Sequence, residues 1–428
     1  MTEELLKFLW KHKLYLPQSL TFEDGSAVEV IHPGEHNSDA GPDFFNTRIK
    51  VGNTIWAGNA EVHVRASDWN RHNHSTNDAY QNVILHIVAE NDAEVKNSRG
   101  DAIPSIILRC NDAIIAQYNY LLQNSLWVPC ARNIKGIDPF VVSLWIEKLG
   151  IARLEEKTQD IALNLDQTQN NWEEVLYRML LRSFGFHQNS QPFELLAKSL
   201  PFKILEKHAG SIMHTEALLF GQAGFLSELL PYDDYYLKLQ KEYRYLSEKF
   251  SLKPLPRHNW KFLRMRPGNF PTVRLAQIAS VIHHRSKMFA FIREAETLEQ
   301  LKELFAVKPS VYWDNHYMFG KVSRPKEKNI GVDSVETVLI NSVIPLLFMY
   351  GKRVGAEYFQ NRALDLLGQL PPEKNSVTEK WQSVGVKANN AFQSQALLYL
   401  KSYYCDRHRC LECTIGSKIL SSAVSVVS

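Results

Sequence analysis

The hydrophobic period of this chain changes once, and that change constrains the fold more than any other feature. Before about residue 110, apolar residues recur at every second position in short runs; from about Trp127 onward they recur at helical spacing. A period of two sends side chains alternately to the two faces of a sheet, whereas a period near 3.6 lines one face of a helix. Strands are predicted over Ala27 to Ile31, Phe44 to Val51, Thr54 to Val64, Val83 to Ala89 and Ile103 to Leu108. Leu5, Leu6, Leu9 and Trp10 predict a helix over Thr2 to Leu14, with Thr2 as its N-cap. A short helix is expected near Asn77 to Asn82.

Beyond Trp127, helices are predicted over Phe140 to Glu156, Trp172 to Phe184, Phe193 to His208, Glu216 to Leu230 and Tyr235 to Phe250. Further helices are predicted over Arg274 to Ala295, Leu298 to Leu304, Ser334 to Tyr350, Ala356 to Leu367 and Asn389 to Tyr404. The fold class is therefore α+β: a mixed-sheet α/β domain over 1–125, then a mostly α-helical region over 126–428. No fixed-period repeat is found, so a helical solenoid is not supported.

Composition narrows the class. With 45% hydrophobic and 22% charged residues, the chain is neither disordered nor fibrous. Its 428 residues suit two or three domains of roughly 150 residues. Five cysteines make no disulfide framework. The acidic N-terminus has no apolar signal core, and no apolar run reaches the ~20 residues of a membrane span; Val343 to Tyr350 is the densest and contains Pro345. A cytoplasmic protein without membrane contact is expected.

The net charge of +3 hides an asymmetry. Residues 1–125 hold 10 Lys/Arg against 16 Asp/Glu, and residues 126–428 hold 39 against 30. Acids can collect a cation, and a basic surface can hold a polyanion. Within the acidic part, residues 35–92 concentrate Glu35, His36, Asp39, Asp43, Glu61, His63, His72, His74, Asp78 and His86. Two pieces carry most of the signal: Gly41-Pro42-Asp43-Phe44, an aspartate entering a strand, and Glu61-Val62-His63 in the next strand. Alternation puts Glu61 and His63 on one face. If the strands are antiparallel neighbours, Asp43 and Glu61 converge on one cation, and oxygen ligands with room for water suit Mg²⁺ or Mn²⁺. Such a cation activates water and neutralises charge on a phosphodiester.

An aspartate after Gly-Pro followed by Glu-x-His on the next strand resembles the PD-(D/E)xK nuclease superfamily, and the element order over residues 2–90 is similar to that superfamily's core. The resemblance implies a metal-dependent nuclease acting on DNA or RNA. Asp43 and Glu61 would bind the metal, with Glu4 on the first helix or Glu35 adding a ligand. His63 stands where the catalytic lysine is usual, so Arg65 or Lys50 would supply the missing cation. The whole chain also resembles the bacterial domain-of-unknown-function family 2851. That likeness rests on Asp39-Ala40-Gly41-Pro42-Asp43-Phe44, Gly58-Asn59-Ala60-Glu61-Val62-His63-Val64, Ser67-Asp68-Trp69 and Val83-Ile84-Leu85-His86, and it implies no activity.

Other readings compete. These polar residues can simply cap helices and satisfy backbone groups near turns. A non-catalytic nucleic-acid-binding protein on a degenerate nuclease scaffold is the first functional alternative. The second is a zinc-dependent hydrolase of small molecules using His72, His74 and Asp78, since a His-x-His pair with an acid can hold zinc.

Two later segments carry chemistry. Between 238 and 274, Lys241, Arg244, Arg257, Lys261, Arg264 and Arg266 are interleaved with Tyr243, Tyr245, Phe250, Trp260, Phe262 and Phe270. Cations neutralise phosphates and flat rings stack on bases, so this is a candidate nucleic-acid surface; the plainer reading is a solvated helix face with core aromatics. Near the C-terminus, the knuckle 405–413 packs Cys405, His408, Cys410 and Cys413 into nine residues. With Cys130 as a distant partner these could hold zinc or an iron–sulfur cluster, or remain free thiols.

Overall fold

The computed structural model describes residues 1–227 and 233–423. Helix α1 (Glu3–Lys11) begins where Thr2 Oγ1 accepts the Leu5 N–H at 3.3 Å, with Glu3 and Glu4 at its positive end and Lys11 in its last turn. It buries Leu5, Leu6, Phe8, Leu9 and Trp10 and packs on strand β4 of the sheet.

The sheet has six strands: β1 (Val28–His32), β2 (Glu35–His36), β3 (Phe44–Val51), β4 (Thr54–Arg65), β5 (Val83–Glu90) and β6 (Ser105–Ile107). Its order is β1-β3-β4-β5-β6, with β2 beside β3. The first strands pair antiparallel; β4–β5 and β5–β6 are parallel. This is the expected mixed sheet. A bulge interrupts β3 against β4 between Phe44 and Thr47, where Asn46 takes φ +57°; asparagine tolerates this left-handed backbone. Gly58 lets β4 pass close to β5, since a Cβ there would meet the Asn82 carbonyl oxygen at 2.7 Å and Ile84 Cγ2 at 2.4 Å.

A short helix, α2 (Asp68–Arg71), follows β4. It is pinned by a small core of Ala66, Trp69, Tyr80, Val83, Val88, Val95 and Ile103. Trp69 is fully buried and its indole N–H donates to the Lys96 carbonyl at 3.0 Å. Helix α3 (Asp112–Gln123), capped by Asn111, was not expected from the sequence.

The chain forms two compact units. The sheet unit comprises residues 1–146, 380–386 and 399 to the C-terminus; the helical unit comprises 147–379 and 387–398. This division departs from a single boundary at 125, because the C-terminal helix Thr414–Ser422 returns to pack on α3. Periodicity reports which face of a helix is apolar but not which partner covers it.

Helix α4 (Pro139–Gln167) leads into the helical unit. It is followed by α5 (Trp172–Phe184), α6 (Phe186–Ser199), α7 (Phe202–His208), α8 (Ile212–Gln222), α9 (Asp234–Phe250), α10 (Pro271–His284), α11 (Met288–Glu294) and α12 (Leu298–Glu303). A small hairpin, β7 (His316–Met318) and β8 (Lys321–Val322), precedes α13 (Val332–Val338), α14 (Ile344–Val354) and α15 (Glu357–Gln369). The helix expected over 193–208 is two helices broken before Pro201, which disfavours helical backbone at Leu200. The helix expected to end at Leu230 closes at Gln222, and residues 228–230 lie outside the described residues.

Between α13 and α14, Pro345 has no N–H to offer the carbonyl four residues back, and the ladder widens to a π-helix over Leu339–Val343. Lys157 Nζ donates there to Ile340 O at 3.3 Å and Asn341 Oδ1 at 2.9 Å. The continuous helix Val332–Val354 is long and apolar enough, by length and composition, to cross a membrane, with mean hydropathy 1.5. It exceeds the densest run read from the sequence, but 67% of its apolar window is buried in the protein, as in a core helix.

Candidate metal centre

Asp43, Glu61 and His63 come together because the register aligns them. In the antiparallel pairing of β3 with β4, Phe44 faces Ala60, which brings Asp43 opposite Glu61. In the parallel pairings, Glu61 faces His86 and His86 faces Ser105. One row of polar side chains therefore crosses four strands, and His63 lies two residues along β4 on the same face.

The acids interlock through the backbone. Asp43 N–H donates to Glu61 Oε2 at 2.9 Å, and Val62 N–H donates to Asp43 Oδ2 at 3.1 Å. Lys7, from α1, places Nζ 2.6 Å from Asp43 Oδ1 and 2.7 Å from Glu3 Oε1. Burial works against the Lys7 charge, but the hydrogen bonds to Asp43 and Glu3 outweigh it and hold its pKa above the ordinary value. Burial, then the Glu61 charge, push the Asp43 carboxyl up to about 6 despite Lys7.

The other oxygen of Glu61 faces imidazoles. Oε1 lies 3.4 Å from His74 Nε2 and 3.8 Å from His63 Nε2, and His63 Nε2 lies 3.1 Å from His72 Nδ1. The ligand nitrogens of His63, His72 and His74 fall within 4.8 Å of one another. Ligands about 2.0–2.1 Å from a tetrahedral ion sit roughly 3.3 Å apart, so these spacings are close to those of one coordination shell. Trp69 sets the loop that carries His72 and His74, and Asn73 between them turns the chain at φ +59°. His74 stacks on Tyr80 at 3.8 Å and is buried, while His72 is exposed on the open side.

Behind these donors runs a relay. His63 Nδ1 lies 2.8 Å from His86 Nε2, and His86 Nδ1 lies 3.3 Å from Ser105 Oγ. With hydrogens on both Nδ1 atoms, His63 donates to His86 and His86 to Ser105, which leaves the His63 Nε2 lone pair aimed at Glu61, His72 and His74. A hydrogen-bond partner on the far ring nitrogen fixes the tautomer of a metal-bound histidine. Burial, then the neighbouring imidazoles, push His63 down to about 2; burial pushes His86 down to about 3. Both rings are neutral at neutral pH, the form that ligates metal.

The remaining expected residues lie elsewhere. Neutral His63 cannot replace the charge of a lysine; the cation beside Asp43 is Lys7. Lys50 lies at the far end of β3, about 20 Å along the strand from Asp43. Arg65 is exposed and paired with Glu90 at 3.3 Å. Glu4 is exposed and near Tyr118, so Glu3 is the α1 acid that reaches the centre, through Lys7. Glu35 is exposed on β2. Asp78 bonds Gln81 rather than joining His72 and His74.

In the helical unit, Lys241, Arg244, Lys261, Arg264 and Arg266 are exposed and Arg257 is half-buried. The rings between them serve the core instead of presenting stacking faces. Trp260 donates to Ala223 O at 2.7 Å and Tyr243 to Gln222 Oε1 at 2.9 Å, both buried; only Tyr245 is well exposed. Cys130, Cys405, Cys410 and Cys413 are buried in the sheet unit, and His408 is exposed.

Lys7 and Ser105 were not singled out from the sequence, and His86 was named in the 35–92 cluster without a role. The sequence signal for Lys7 was its place one helical turn after Glu3; for His86 it was a histidine inside an apolar strand run.

The family model for a protein of unknown function (DUF2851) matches residues 3–376, and the chain belongs to that family. No curated protein and no solved structure matches it.

Proposed function

We propose that the sheet unit carries the metal centre of a hydrolase that cleaves phosphodiesters in nucleic acid. The observation that carries this reading is the convergence of His63, His72, His74 and Glu61 beside the Asp43–Lys7 pair. Three imidazoles and a carboxylate suit Zn²⁺ or Mn²⁺ better than Mg²⁺, which prefers all-oxygen coordination. A bound cation would acidify water and offset phosphate charge. Asp43 and the Lys7 ammonium then face the same reaction zone, where Lys7 supplies fixed positive charge. The order α1, three antiparallel strands, α2 and a parallel strand supports the likeness to PD-(D/E)xK nucleases, and the exposed cations of 241–266 support a polyanionic substrate.

The test is cleavage of single- and double-stranded DNA and RNA with Mn²⁺, Zn²⁺ or Mg²⁺, comparing wild type with Glu61→Ala and His74→Ala. Cleavage that needs Mn²⁺ or Zn²⁺ and disappears in both variants is expected. Full activity in both variants would sink the proposal. Salt-sensitive binding without cleavage would favour a non-catalytic nucleic-acid-binding scaffold. Hydrolysis of small esters alone would favour the zinc hydrolase reading, which the same histidine cluster supports.

A further inference from the structure

We propose that Cys130, Cys405, Cys410 and Cys413 ligate an iron–sulfur cluster in the sheet unit, separate from the histidine centre. The sequence spaces three of them as Cys-x4-Cys-x2-Cys with the fourth remote, a spacing used to wrap thiolates around a [2Fe–2S] core in plant-type ferredoxins.

The fold brings the four together. Cys130 lies in the turn before α4, where its carbonyl accepts the N–H groups of Asn133 and Ile134 at 2.9 Å. Cys405 ends the π-helical segment Leu400–Cys405, and Cys410 and Cys413 lie on the loop that runs from it into the C-terminal helix Thr414–Ser422. All four are buried, and they sense one another's charge: Cys130 that of Cys413 and Cys410, and Cys405 that of all three. Cys110, the remaining cysteine, interacts instead with Asp112.

Burial holds all four thiols above the ordinary cysteine pKa, so they keep their protons until a bound metal displaces them. Cys413 is the N-cap of the C-terminal helix, where burial raises its pKa and the nearby Gly416 and Ile415 N–H groups and Trp145 side chain partly offset that rise. A helix N-terminus and donated N–H groups favour negative sulfur. The loop is folded tightly enough that a Cβ at residue 416 would meet the Cys410 carbonyl oxygen at 2.1 Å, which requires Gly416.

Spacing favours a cluster over one zinc ion. A tetrahedral zinc ~2.3 Å from each sulfur would hold the sulfurs about 3.8 Å apart. Among the described residues, however, only His63, His72 and His74 bring three ligand atoms within 4.8 Å of one another. His408 is not a ligand: it is exposed and turns the loop at φ +51°.

The experiment is anaerobic purification of the full chain with measurement of iron, inorganic sulfide, zinc and visible absorption. Iron and sulfide in equal amounts, with a visible charge-transfer band, are expected. Cys405→Ser should lose both, whereas Cys110→Ser and His408→Ala should keep wild-type iron and sulfide. Stoichiometric zinc without sulfide would overturn the cluster, as would wild-type protein carrying neither metal. Loss of iron in His408→Ala would overturn this ligand set. Because Cys405→Ser can fail to fold without its ligand, the wild-type analysis and the two retained variants decide the proposal independently of it.

Discussion

At the scale of single residues, the sheet unit gathers opposite chemistries around Glu61. One of its oxygens accepts the Asp43 N–H, and the other faces the imidazoles of His63 and His74. In the proposed hydrolase Lys7 supplies the fixed positive charge, so Lys7→Met should lower kcat by about 10²–10³-fold while leaving bound metal unchanged. Single-turnover kinetics together with metal analysis checks both parts. Lys50→Ala and Arg65→Ala, whose side chains lie away from the centre, should leave kcat within experimental error. His86 orients His63 from behind, and His86→Ala should weaken Mn²⁺ affinity by about 10–100-fold in calorimetric titration. The acids on β3 and β4 were legible because alternation places i and i+2 on one face. Lys7 was not, because its partner lies 36 residues away and helical spacing alone does not say which strand the helix covers.

At the scale of elements, the expected strands before β6 were legible to within a residue, whereas β6 is three residues, Ser105–Ile107, of the six expected. Phe44–Val51 matches its expected span, and Thr54–Arg65 exceeds its own by one residue. Here β-branched runs end in clear turns. Strand β2 escaped notice because two residues carry no period, and α3 because its apolar face, with Ile114, Tyr118 and Leu121 buried, is diluted by polar positions. Helices α6 and α7, broken at Pro201, read as one because their apolar stripe continues across the break. The approach of β4 to β5 at Gly58 gives a test of the register that aligns Glu61 with His86. A methyl there meets the Asn82 carbonyl oxygen as well as Ile84 Cγ2, and the backbone atom cannot give way cheaply, so Gly58→Ala should destabilise by about 1–3 kcal/mol in urea unfolding.

At the scale of the whole molecule, the two units bury polarity differently. The sheet unit gathers its buried histidines His63, His74 and His86 around Glu61. The helical unit buries Glu216 inside its own core, where Tyr235 and Ser310 hydroxyls donate to it, Ser310 at 2.8 Å. Burial pushes that carboxyl from its ordinary 4.5 up to about 7. The folded state then holds the proton more tightly, so its stabilising effect is complete below about 4.5 and is lost as pH rises through about 7. Glu216→Gln should remove that pH dependence, amounting to on the order of 2–3 kcal/mol, in denaturant melts compared at pH 5 and pH 8. The recruitment of residues after 399 into the sheet unit was hidden from the sequence, because only the partner of the cysteine loop, and not its own pattern, tells where it docks.

The most direct test of the central claim is an anomalous-difference map from crystals grown with Mn²⁺. The geometry predicts one peak within about 2.0–2.4 Å of His63 Nε2, His72 Nδ1, His74 Nε2 and a Glu61 oxygen. A map without density there, with His63 and His72 still hydrogen-bonded to each other, would contradict the assignment of this cluster as a metal centre.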